Sequence, residues 1–346
     1  MRRASCLIEK VRVLYVINTG QVGGLQAHVR CLMQSLQGVA ETAVVINAEI
    51  DPKLIPMFED AGLKVYRLGG RNGHDLRVVG RFKRVLEDFK PDVIHAHGLP
   101  FFCAVWLMFN KRVPLLHSLH TPPRKPYGKG LLEWFVLDRL VDYWLPVSTS
   151  TWTEFKKWHP KAKGEVFFNP IRIDEGGRCR VDGQGFVVGM VGRNADQKDW
   201  PSFHNVEKKV KSVMKTVEFL NAGENGVCDG RMAIAKMDLF VMTSKHEQLP
   251  TTVLECFALG TPICGFVPVG GTSDILGFSK GPVREAFIAE RDCDKLADIV
   301  MDLLVHPERR QALVEDGRQI LENHFDAEVN CNGQLMQVYE RVRKQI

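Results

Sequence analysis

The chain has 346 residues, of which 45% are hydrophobic and 25% are charged. This length suits two domains, and the composition is that of an ordinary soluble globular protein, which excludes a disordered or fibrous chain. The net charge of +5 is uneven, because residues 1–170 contain 24 Lys and Arg against 15 Asp and Glu, whereas residues 171–346 contain 22 against 26. We therefore expect different partners for the two halves, and no nucleic acid among them.

Neither the cysteines nor the apolar runs point to secretion or to a membrane span. The nine cysteines form no C-x-x-C pair and no zinc-type spacing, which favours reduced thiols and a cytoplasmic location. Glu9, Lys10 and Arg12 interrupt the apolar amino-terminal run, so VRVLYVI predicts a buried strand and not a signal peptide. The run Leu99–Phe109 is about half a membrane span and predicts a buried helix, with an interfacial segment as the alternative.

Predicted strands and helices alternate along the first half of the chain. Amphipathic stretches such as AHVRCLMQSLQG and LRVVGRFKRVLEDFK predict helices between β-rich runs. The predicted strands are residues 11–17, 41–48, 64–68, 92–97, 113–119 and 143–148. This alternation indicates βαβ units and a parallel sheet covered on both faces.

A second series of strands and helices follows a stretch rich in glycine and charge, residues 169–185, which is the predicted linker. Its predicted strands are residues 186–192, 216–222, 237–244 and 261–267, and its predicted terminal helices are residues 293–305, 307–323 and 327–344. We expect domains at 1–169 and 170–325, with residues 326–346 forming a helix that packs back toward the first domain. In open α/β sheets, ligands bind beyond the carboxyl ends of the strands.

The stretch MTSKHEQLPTTVLECFALGTP, residues 242–262, places two glutamates around the start of a helix. Pro250 fits the first helical turn and Gly260 fits the end, so the helix is predicted over Leu249–Leu259. Glu247 then lies in the loop before this helix, and Glu255 projects from its second turn.

The start of this helix suits an anionic ligand. Its free backbone N–H groups, together with the positive end of the helix dipole, favour a group such as phosphate. These N–H groups belong to Leu249, Thr251 and Thr252. Two carboxylates beside a phosphate site are unfavourable unless they accept hydrogen bonds from ligand hydroxyls, which suits a sugar nucleotide.

The segment EQLPTTVLE resembles the E-x7-E motif of retaining glycosyltransferases with the GT-B fold, family 4 in particular. GQVGGLQAHV at residues 20–29 is similar to that family's glycine-rich loop, and DVIHAHG and LLHSLHTP resemble its paired histidine-containing strand ends. VGMVGRNADQK, PVGGTSDIL and LADIVMDLLVHPERRQAL resemble parts of its second domain. The resemblance covers nearly the whole chain and implies two Rossmann-like domains whose parallel sheets face a central cleft.

The resemblance implies donor-binding roles in the second domain. Arg193 and Lys198 would clamp the donor diphosphate and stabilise the leaving group. Glu255 would accept hydrogen bonds from the nucleotide ribose, and Glu247 would hold the transferred sugar. The helix start, with Leu249, Thr251 and Thr252, belongs to the same implied site.

In the first domain the resemblance implies that Gly23 and Gly24 let the backbone approach the diphosphate. His120 would contact the sugar near the reacting carbon, and His97 would lie on the acceptor side. The residues expected to take part in catalysis are His120, Glu247, Arg193 and Lys198.

We expect no metal and no other cofactor besides the nucleotide sugar. No Asp-x-Asp precedes an apolar strand end, and DCD at residues 292–294 predicts a helix cap. A metal cluster could be formed by His95, His97, His117 and His120. Alternating positions on two strands are weak support for such a cluster.

The chain departs from the family pattern at two places. Gln248 stands where the family usually has glycine, so its side chain enters the region of the donor sugar and leaves the donor's identity open. The span from residues 219–226 to residue 237 is short, where the family normally fits an extra strand and helix beside the nucleotide base.

The implied function is retaining transfer of a hexose-type sugar from a nucleotide diphosphate sugar, with a UDP-sugar favoured, to a glycan or lipid-linked acceptor. Cell-surface polysaccharide or lipopolysaccharide synthesis is the expected setting. The alternatives are a non-catalytic partner subunit that binds the nucleotide sugar and a sugar-nucleotide epimerase of the same architecture.

Basic residues beside aromatic ones in the first half predict peripheral, salt-sensitive association with the anionic inner face of the cytoplasmic membrane. The basic residues are Arg77, Arg81 and Arg84 on one helix face, and Arg124, Lys125 and Lys129 on a Pro/Gly-rich loop. Trp134 and Phe135 follow that loop and are predicted to be exposed. The alternative is a basic loop that grips a charged glycan.

Overall fold

The structure is a computed structural model, and it describes the backbone of residues 10–18, 23–121, 129–173, 185–225 and 229–344. The side chains of residues 129–131 are not described. Parts of three predicted features lie outside these ranges, namely residues 20–22 of the glycine-rich loop, Arg124 and Lys125 of the basic loop, and residues 174–184 of the linker.

The chain forms two compact units. The first consists of the described residues of Met1–Val147, Thr151–Pro170 and Ala327–Ile346, and the second of those of Ser148–Ser150 and Ile171–Asp326. No described helix combines the length and the apolar character needed to cross a bilayer. The six cysteines that the structure describes are free thiols.

The first unit is built on a six-stranded sheet of order β3-β2-β1-β4-β5-β6, in which every pairing is parallel. Its strands are β1 (Arg12–Ile17), β2 (Glu41–Ile46), β3 (Lys64–Arg67), β4 (Val93–Ala96), β5 (Leu115–Leu119) and β6 (Tyr143–Pro146). Its helices before β6 are α1 (Gly24–Ser35), α2 (Leu54–Glu59), α3 (Val78–Phe89), α4 (Phe101–Asn110) and α5 (Lys129–Leu140). The strand order is that of a Rossmann sheet, and the parallel pairing confirms the parallel sheet predicted from the alternation of strands and helices.

Side chains of β1 alternate between two apolar layers, which explains why the strand is buried on both faces. Val13, Tyr15 and Ile17 pack with α1 and α2, whereas Leu14 and Val16 pack with α3 and α4. Successive residues of a strand point to opposite faces, so a continuous apolar run is what a sheet between two helical layers requires.

The carboxyl-terminal segment returns to the first unit. After α6 (Thr149–Trp158) and the whole second unit, the chain ends in α14 (Ala327–Asn330), a π-helical turn at Cys331–Leu335 and α15 (Met336–Arg343). The single helix predicted over residues 327–344 is therefore interrupted by a π turn. Tyr339 joins the core on the α1 side of the sheet.

The second unit contains a five-stranded parallel sheet of order β13-β11-β9-β7-β8 and a separate two-stranded pairing of β10 with β12. The strands are β7 (Val187–Val191), β8 (Glu218–Ala222), β9 (Leu239–Met242), β10 (His246–Glu247), β11 (Ile263–Phe266), β12 (Val269–Gly270) and β13 (Phe287–Ile288). The helices are α7 (Trp200–Val213), α8 (Gly230–Ile234), α9 (Thr251–Leu259), α10 (Thr272–Phe278), α11 (Pro282–Glu285), α12 (Cys293–Val305) and α13 (Pro307–His324).

Helix α4 is less buried than its sequence predicts. Its buried residues are Cys103, Ala104 and Leu107, while Phe109 is 79% exposed. The prediction of a helix is confirmed, but that of a buried helix is wrong. The helix packs on the sheet, on α3 and on α5, and several of its apolar side chains are only partly covered there.

The basic and aromatic residues predicted to bind a membrane are, where the structure describes them, only partly exposed and unpaired. The guanidinium of Arg77 pairs with Asp75, and that of Arg81 donates to the Leu68 carbonyl, so these two cations already have partners. Trp134 was predicted to be exposed, but it is partly buried against the core. Its ring stacks on that of Trp144, with 6.3 Å between the ring centroids.

Candidate active site

Lys198 is positioned at the end of a 3₁₀ turn, Asp196–Lys198, that follows β7. Its side chain runs back along Gly192, where an added Cβ would lie 2.9 Å from the Lys198 Cδ and Cε atoms. Glycine at position 192 therefore leaves room for the lysine stem. The Lys198 Nζ atom lies 2.7 Å from Glu247 Oε1, so the structure brings two predicted site residues together as an ion pair.

Glu247 is held by the pairing of β10 with β12, and not by a loop as the sequence analysis expected. Its carbonyl accepts a hydrogen bond of 2.8 Å from the Gly271 N–H. At Gly270, whose φ is +126°, an added Cβ would lie 1.9 Å from the Glu247 carbonyl oxygen. Only glycine allows this close approach, so the two glycines of PVGGTSDIL position Glu247.

The Lys198–Glu247 pair is largely removed from solvent, with side-chain exposures of 16% and 10%. A partly buried pair of this kind is screened less by salt than a surface pair. The ammonium of Lys198 has three N–H donors, and only one is needed for Glu247. Lys198 therefore keeps donors that can reach a second anion beside the carboxylate.

Polar residues that were not predicted from the sequence hold the backbone around Lys198 by hydrogen bonds. The Thr243 hydroxyl lies 3.1 Å from the carbonyl oxygens of both Lys198 and Asp199, and its single O–H donates to one of them or is shared between the two. The Arg291 guanidinium pairs with Asp199 and donates to the carbonyls of Thr243 at 2.6 Å and Ser244 at 3.1 Å. Because Arg291 is 92 positions from Asp199 in the chain, no local pattern reveals the contact.

Helix α9 begins at Thr251, two residues later than predicted, with Pro250 as its N-cap, and its C-cap is Gly260 with φ +68°. A proline side chain offers no hydrogen-bond acceptor, so it does not cap the first turn. The N–H groups of Thr251 and Thr252 are thus available to a ligand at the positive end of the helix. Leu249 precedes them and is only 6% exposed.

Glu255 lies one turn further along α9, with an uncommon electrostatic environment. Burial raises the pKa of Glu255 to about 7, and the Asp229 carboxylate acts in the same direction, while Arg231 and Lys198 oppose it. A carboxyl that is partly neutral near pH 7 both donates and accepts hydrogen bonds. It also repels an adjacent phosphate less than a full carboxylate does.

Arg193 and Gln248 border the same part of the unit. Arg193 is exposed, and its carbonyl accepts a 3.2 Å hydrogen bond from the indole of Trp200. Among the described residues no carboxylate forms an ion pair with its guanidinium, so its charge is available. Gln248 is partly buried beside Glu247, where a side chain replaces the glycine that the resemblance led us to expect.

The short span noted in the sequence leaves β8 at the edge of the sheet. In the described part of this span the chain passes from β8 through the five-residue helix α8 to β9, and β8 pairs only with β7. Residues 226–228 of the span lie outside the described residues.

Gly23 and Gly24 of the first unit show no conformational need for glycine. Gly23 is extended with φ −174°, and a Cβ added at Gly24 would meet no described atom within 4 Å. The packing of the described residues therefore does not explain these glycines, and the close approach of a ligand to them stays a prediction.

Three histidines of the first unit lie together: His28 on α1, His97 after β4 and His120 after β5. Their ring centroids are 5.1 to 5.4 Å apart, and His97 Nδ1 shares a 2.9 Å hydrogen bond with His120 Nε2. Burial lowers the pKa of all three, that of His120 to about 4, so the rings are neutral at pH 7. His28 was not singled out from the sequence, although it interrupts the apolar face of α1.

The other two histidines considered for a cluster are not in position to share the ion, although the His95 ring centroid lies only 4.5 Å from that of His97. His95 is hydrogen-bonded to Tyr339 at 2.7 Å and to Ser118 at 2.8 Å, and the His117 ring packs against Trp144. The four-histidine cluster considered from the sequence is therefore wrong in its members. In the described residues the histidines that could share one metal ion are His28, His97 and His120.

Two family profiles match the chain. The profile described as Glycosyltransferase Family 4 matches residues 22–175, and that described as Glycosyl transferases group 1 matches residues 183–320. No curated protein sequence matches the chain significantly.

Solved structures share the fold across nearly all of the chain. Anabaena Alr3699/HepE in complex with UDP and glucose is 16% identical with a TM-score of 0.74, covering 96% of this chain and 100% of that chain. Sucrose-phosphate synthase from Thermosynechococcus elongatus is 15% identical with a TM-score of 0.71, covering 97% and 100%. A mutant of S. aureus TarM in complex with fondaparinux, alpha-GlcNAc-glycerol and UDP is 10% identical with a TM-score of 0.75, covering 95% and 99%. With a Rossmann-like sheet in each unit and a family profile on each half, the chain belongs to the family 4 glycosyltransferases of the GT-B fold.

Proposed function

We propose that the protein is a retaining glycosyltransferase that moves a hexose-type sugar from a UDP-sugar to a glycan or lipid-linked saccharide. Its setting would be the cytoplasmic synthesis of cell-surface polysaccharide or lipopolysaccharide. The observation that carries the proposal is the group formed in the second unit by the Lys198–Glu247 pair, the uncapped start of α9 and the partly neutral Glu255. UDP in the HepE and TarM structures supports a UDP-sugar as donor.

The chemistry of the site follows from where charge develops. As the bond between sugar and phosphate lengthens, negative charge grows on the diphosphate and positive charge on the sugar. Lys198, Arg193 and the N–H groups of α9 stabilise the negative charge, and their fixed positions lower the cost of reorganisation. Glu255 accepts from the ribose hydroxyls, and Glu247 accepts from hydroxyls of the transferred sugar.

The anomeric configuration of the sugar is retained because the acceptor hydroxyl attacks on the face that the leaving diphosphate vacates. The leaving phosphate oxygen takes the proton of the acceptor hydroxyl on that face. Glu247, the carboxylate nearest to Lys198, is paired at 2.7 Å and is therefore poorly suited to act as a covalent nucleophile. In the first unit His120 contacts the sugar near the reacting carbon, and His97 lies on the acceptor side. Both are neutral imidazoles and can donate and accept hydrogen bonds.

The test is to incubate the purified protein with labelled UDP-, GDP- and ADP-sugars and to follow released nucleotide and sugar products. A glycosyltransferase hydrolyses its donor slowly and transfers the sugar to an added saccharide acceptor with its anomeric configuration kept. Conversion of the donor into an epimeric sugar nucleotide would establish the epimerase alternative. Donor binding without either reaction would establish the non-catalytic subunit.

We propose further that transfer needs no divalent metal. The cations that face the diphosphate in this proposal are Lys198 and Arg193, together with the dipole of α9. Activity should therefore survive EDTA unchanged. Activity lost in EDTA and restored by Mg²⁺ or Mn²⁺ would contradict this part of the proposal.

The acceptor is proposed to reside at an anionic membrane surface. Helices α4 and α5 pack together and carry three exposed apolar side chains, with Phe109 at 79%, Leu132 at 57% and Phe135 at 49% exposure. Arg139 lies over the Phe135 ring at 3.6 Å, which places a cation beside one of these apolar groups. Such a combination favours reversible binding to the headgroup layer.

Liposome flotation tests the membrane proposal. The protein should float with anionic vesicles at low salt and dissociate at high salt, because each Lys or Arg near the surface contributes about 1 kcal/mol. Equal recovery with neutral and anionic vesicles, or no response to salt, would favour the alternative that basic residues grip a charged glycan. The double variant Phe109→Ser/Phe135→Ser should lower recovery, whereas Val305→Ser, an exposed apolar residue of the second unit, should not.

A further inference from the structure

Several ring nitrogens of the three-histidine group in the first unit are free to bind a ligand. Both ring nitrogens of His28 and the Nε2 atom of His97 are buried and have no hydrogen-bond partner among the described residues. His28 and His97 are each only 5% exposed. Buried polar atoms without partners destabilise a fold, so three of them at one place point to a bound group that supplies the missing partners.

The three rings are arranged around a common point. One nitrogen from each of His28, His97 and His120 lies within 4.8 Å of the corresponding nitrogens of the other two. A zinc ion bound at about 2.0–2.1 Å in tetrahedral geometry needs ligand nitrogens about 3.3–3.4 Å apart. His97 Nδ1 and His120 Nε2 lie 2.9 Å apart and share a hydrogen bond, so a metal ion bound to these two atoms would replace that hydrogen bond.

The chemical state of the rings also suits a metal. An imidazole in its neutral form offers a nitrogen lone pair to a metal without first losing a proton. Imidazole ligands favour zinc, copper, nickel and iron, whereas magnesium and calcium require oxygen ligands.

We propose that His28, His97 and His120 form a binding site for a divalent transition metal of the zinc type. Three protein ligands leave the fourth position to water or to an oxygen of a bound molecule. His120 is the half-buried member of the group. The site lies within the first unit and uses no residue of the donor-binding group in the second.

A bound metal would inhibit glycosyl transfer, and this consequence rests on the proposed function. The ion occupies nitrogens of His97 and His120, which are then no longer available to hydrogen-bond sugar and acceptor hydroxyls. Zn²⁺ should therefore lower the rate of transfer, while EDTA leaves the rate unchanged or raises it. Metal binding itself does not depend on transferase activity.

Titration with Co²⁺ and Zn²⁺ tests the site directly. The metal-free protein should bind one equivalent of Co²⁺ with the visible absorption bands of a tetrahedral complex, and Zn²⁺ should displace it. His28→Ala should weaken Zn²⁺ binding by at least about 100-fold, because losing a mere outer hydrogen-bond partner of a metal ligand already costs about 10- to 100-fold. The matched control His74→Ala removes an exposed histidine of the same unit and should leave the affinity unchanged.

Circular dichroism and thermal melting of His28→Ala show whether the variant remains folded. If the variant does not remain folded, nuclear magnetic resonance of the wild-type protein is the alternative test. Zn²⁺ should then shift the imidazole signals of His28, His97 and His120 but not those of His74. Binding of no metal by the wild-type protein, or equal affinity in wild type and a folded His28→Ala, would overturn the site. Metal binding without inhibition would leave the site standing and would contradict the proposed roles of His97 and His120.

Discussion

At the scale of single residues, Lys198 and Glu247 depend on each other. Each is mostly buried, so each would carry an uncompensated charge without the other. The sequence predicted both as site residues but assigned them to different parts of the ligand. Their direct contact could not be predicted from the sequence. It joins positions 49 residues apart, one on a 3₁₀ turn and one on β10, that only the folded chain brings together.

Lys198→Ala should strongly reduce transfer. Loss of one charge-assisted contact to the leaving diphosphate should cost roughly 2 to 4 kcal/mol in the transition state, which corresponds to a fall in kcat/KM of about 30- to 1000-fold. Steady-state kinetics with the preferred donor measure this effect. Lys209→Ala, which removes a lysine paired with Asp294 and Asp298, serves as the matched control and should stay within a few-fold of wild type.

Glu255 should make stability depend on pH. Because its folded-state pKa is raised to about 7, the folded protein holds this proton more tightly than the unfolded chain does. Its contribution to the free energy of unfolding is fully present below about pH 4.5 and is lost as pH rises through about 7. Urea unfolding of Glu255→Gln should therefore show a stability gain over wild type that grows with pH between 5 and 8.

The gain expected for Glu255→Gln at pH 8 is about 1–3 kcal/mol relative to pH 5. Glu315→Gln, at an exposed position on α13, controls for the loss of one negative charge. A constant difference between Glu255→Gln and wild type over this pH range would show that Glu255 is ionised like an ordinary surface carboxylate.

At the scale of elements, long periodic segments were predictable and short ones were not. The strands β1 to β9 and the helices α12 and α13 were predicted to within a few residues, because each has a continuous apolar run or a strong helical period. The two-residue strands β10 and β12 carry no such signal, and they are the elements that hold Glu247. The exposed side of α4 was missed because its sequence is apolar on every face, and the packing of the sheet alone decides which face is covered.

Gly270→Ala should disrupt both the pairing of β10 with β12 and the position of Glu247. The added methyl group would meet the Glu247 carbonyl, and alanine at φ +126° is strained, so stability should fall by about 1–3 kcal/mol and transfer by more than tenfold. Gly277→Ala on the neighbouring helix α10 meets no atom within 4 Å and should be neutral or stabilising by up to about 1 kcal/mol. Thermal unfolding of both variants gives the comparison, and equal effects would contradict the role given to Gly270.

At the scale of the whole molecule, the carboxyl-terminal segment completes the first unit through a buried polar network. The Tyr339 hydroxyl lies 2.8 Å from the Tyr15 hydroxyl and 2.7 Å from His95 Nδ1, and His95 in turn bonds Ser118. The sequence predicted that the last helix would pack toward the first domain on the strength of the family resemblance. It could not name Tyr339, because a partner 324 residues away leaves no trace in local periodicity.

Tyr339→Phe should destabilise the first unit. The substitution keeps the ring but leaves the Tyr15 hydroxyl and the Nδ1 atom of His95 without their common partner, which should cost about 1–3 kcal/mol. Tyr143→Phe removes a more exposed hydrogen bond to Arg341, which also pairs with Glu165, and should cost under about 0.5 kcal/mol. Chemical unfolding followed by tryptophan fluorescence measures both, and a neutral Tyr339→Phe would show that the network contributes no stability.

The central claim is that the second unit binds a nucleotide diphosphate sugar through Lys198 and the start of α9. Thermal unfolding in the presence of UDP-sugars, GDP-sugars and ADP-sugars tests it most directly, since a ligand that binds the native state at 100 times its Kd adds about 2.7 kcal/mol of stability. We predict that a UDP-sugar raises the Tm of the wild-type protein and of Lys209→Ala by several degrees, and that Lys198→Ala loses most of this increase. No increase with any of the three donors, or an equal increase in Lys198→Ala, would contradict the account.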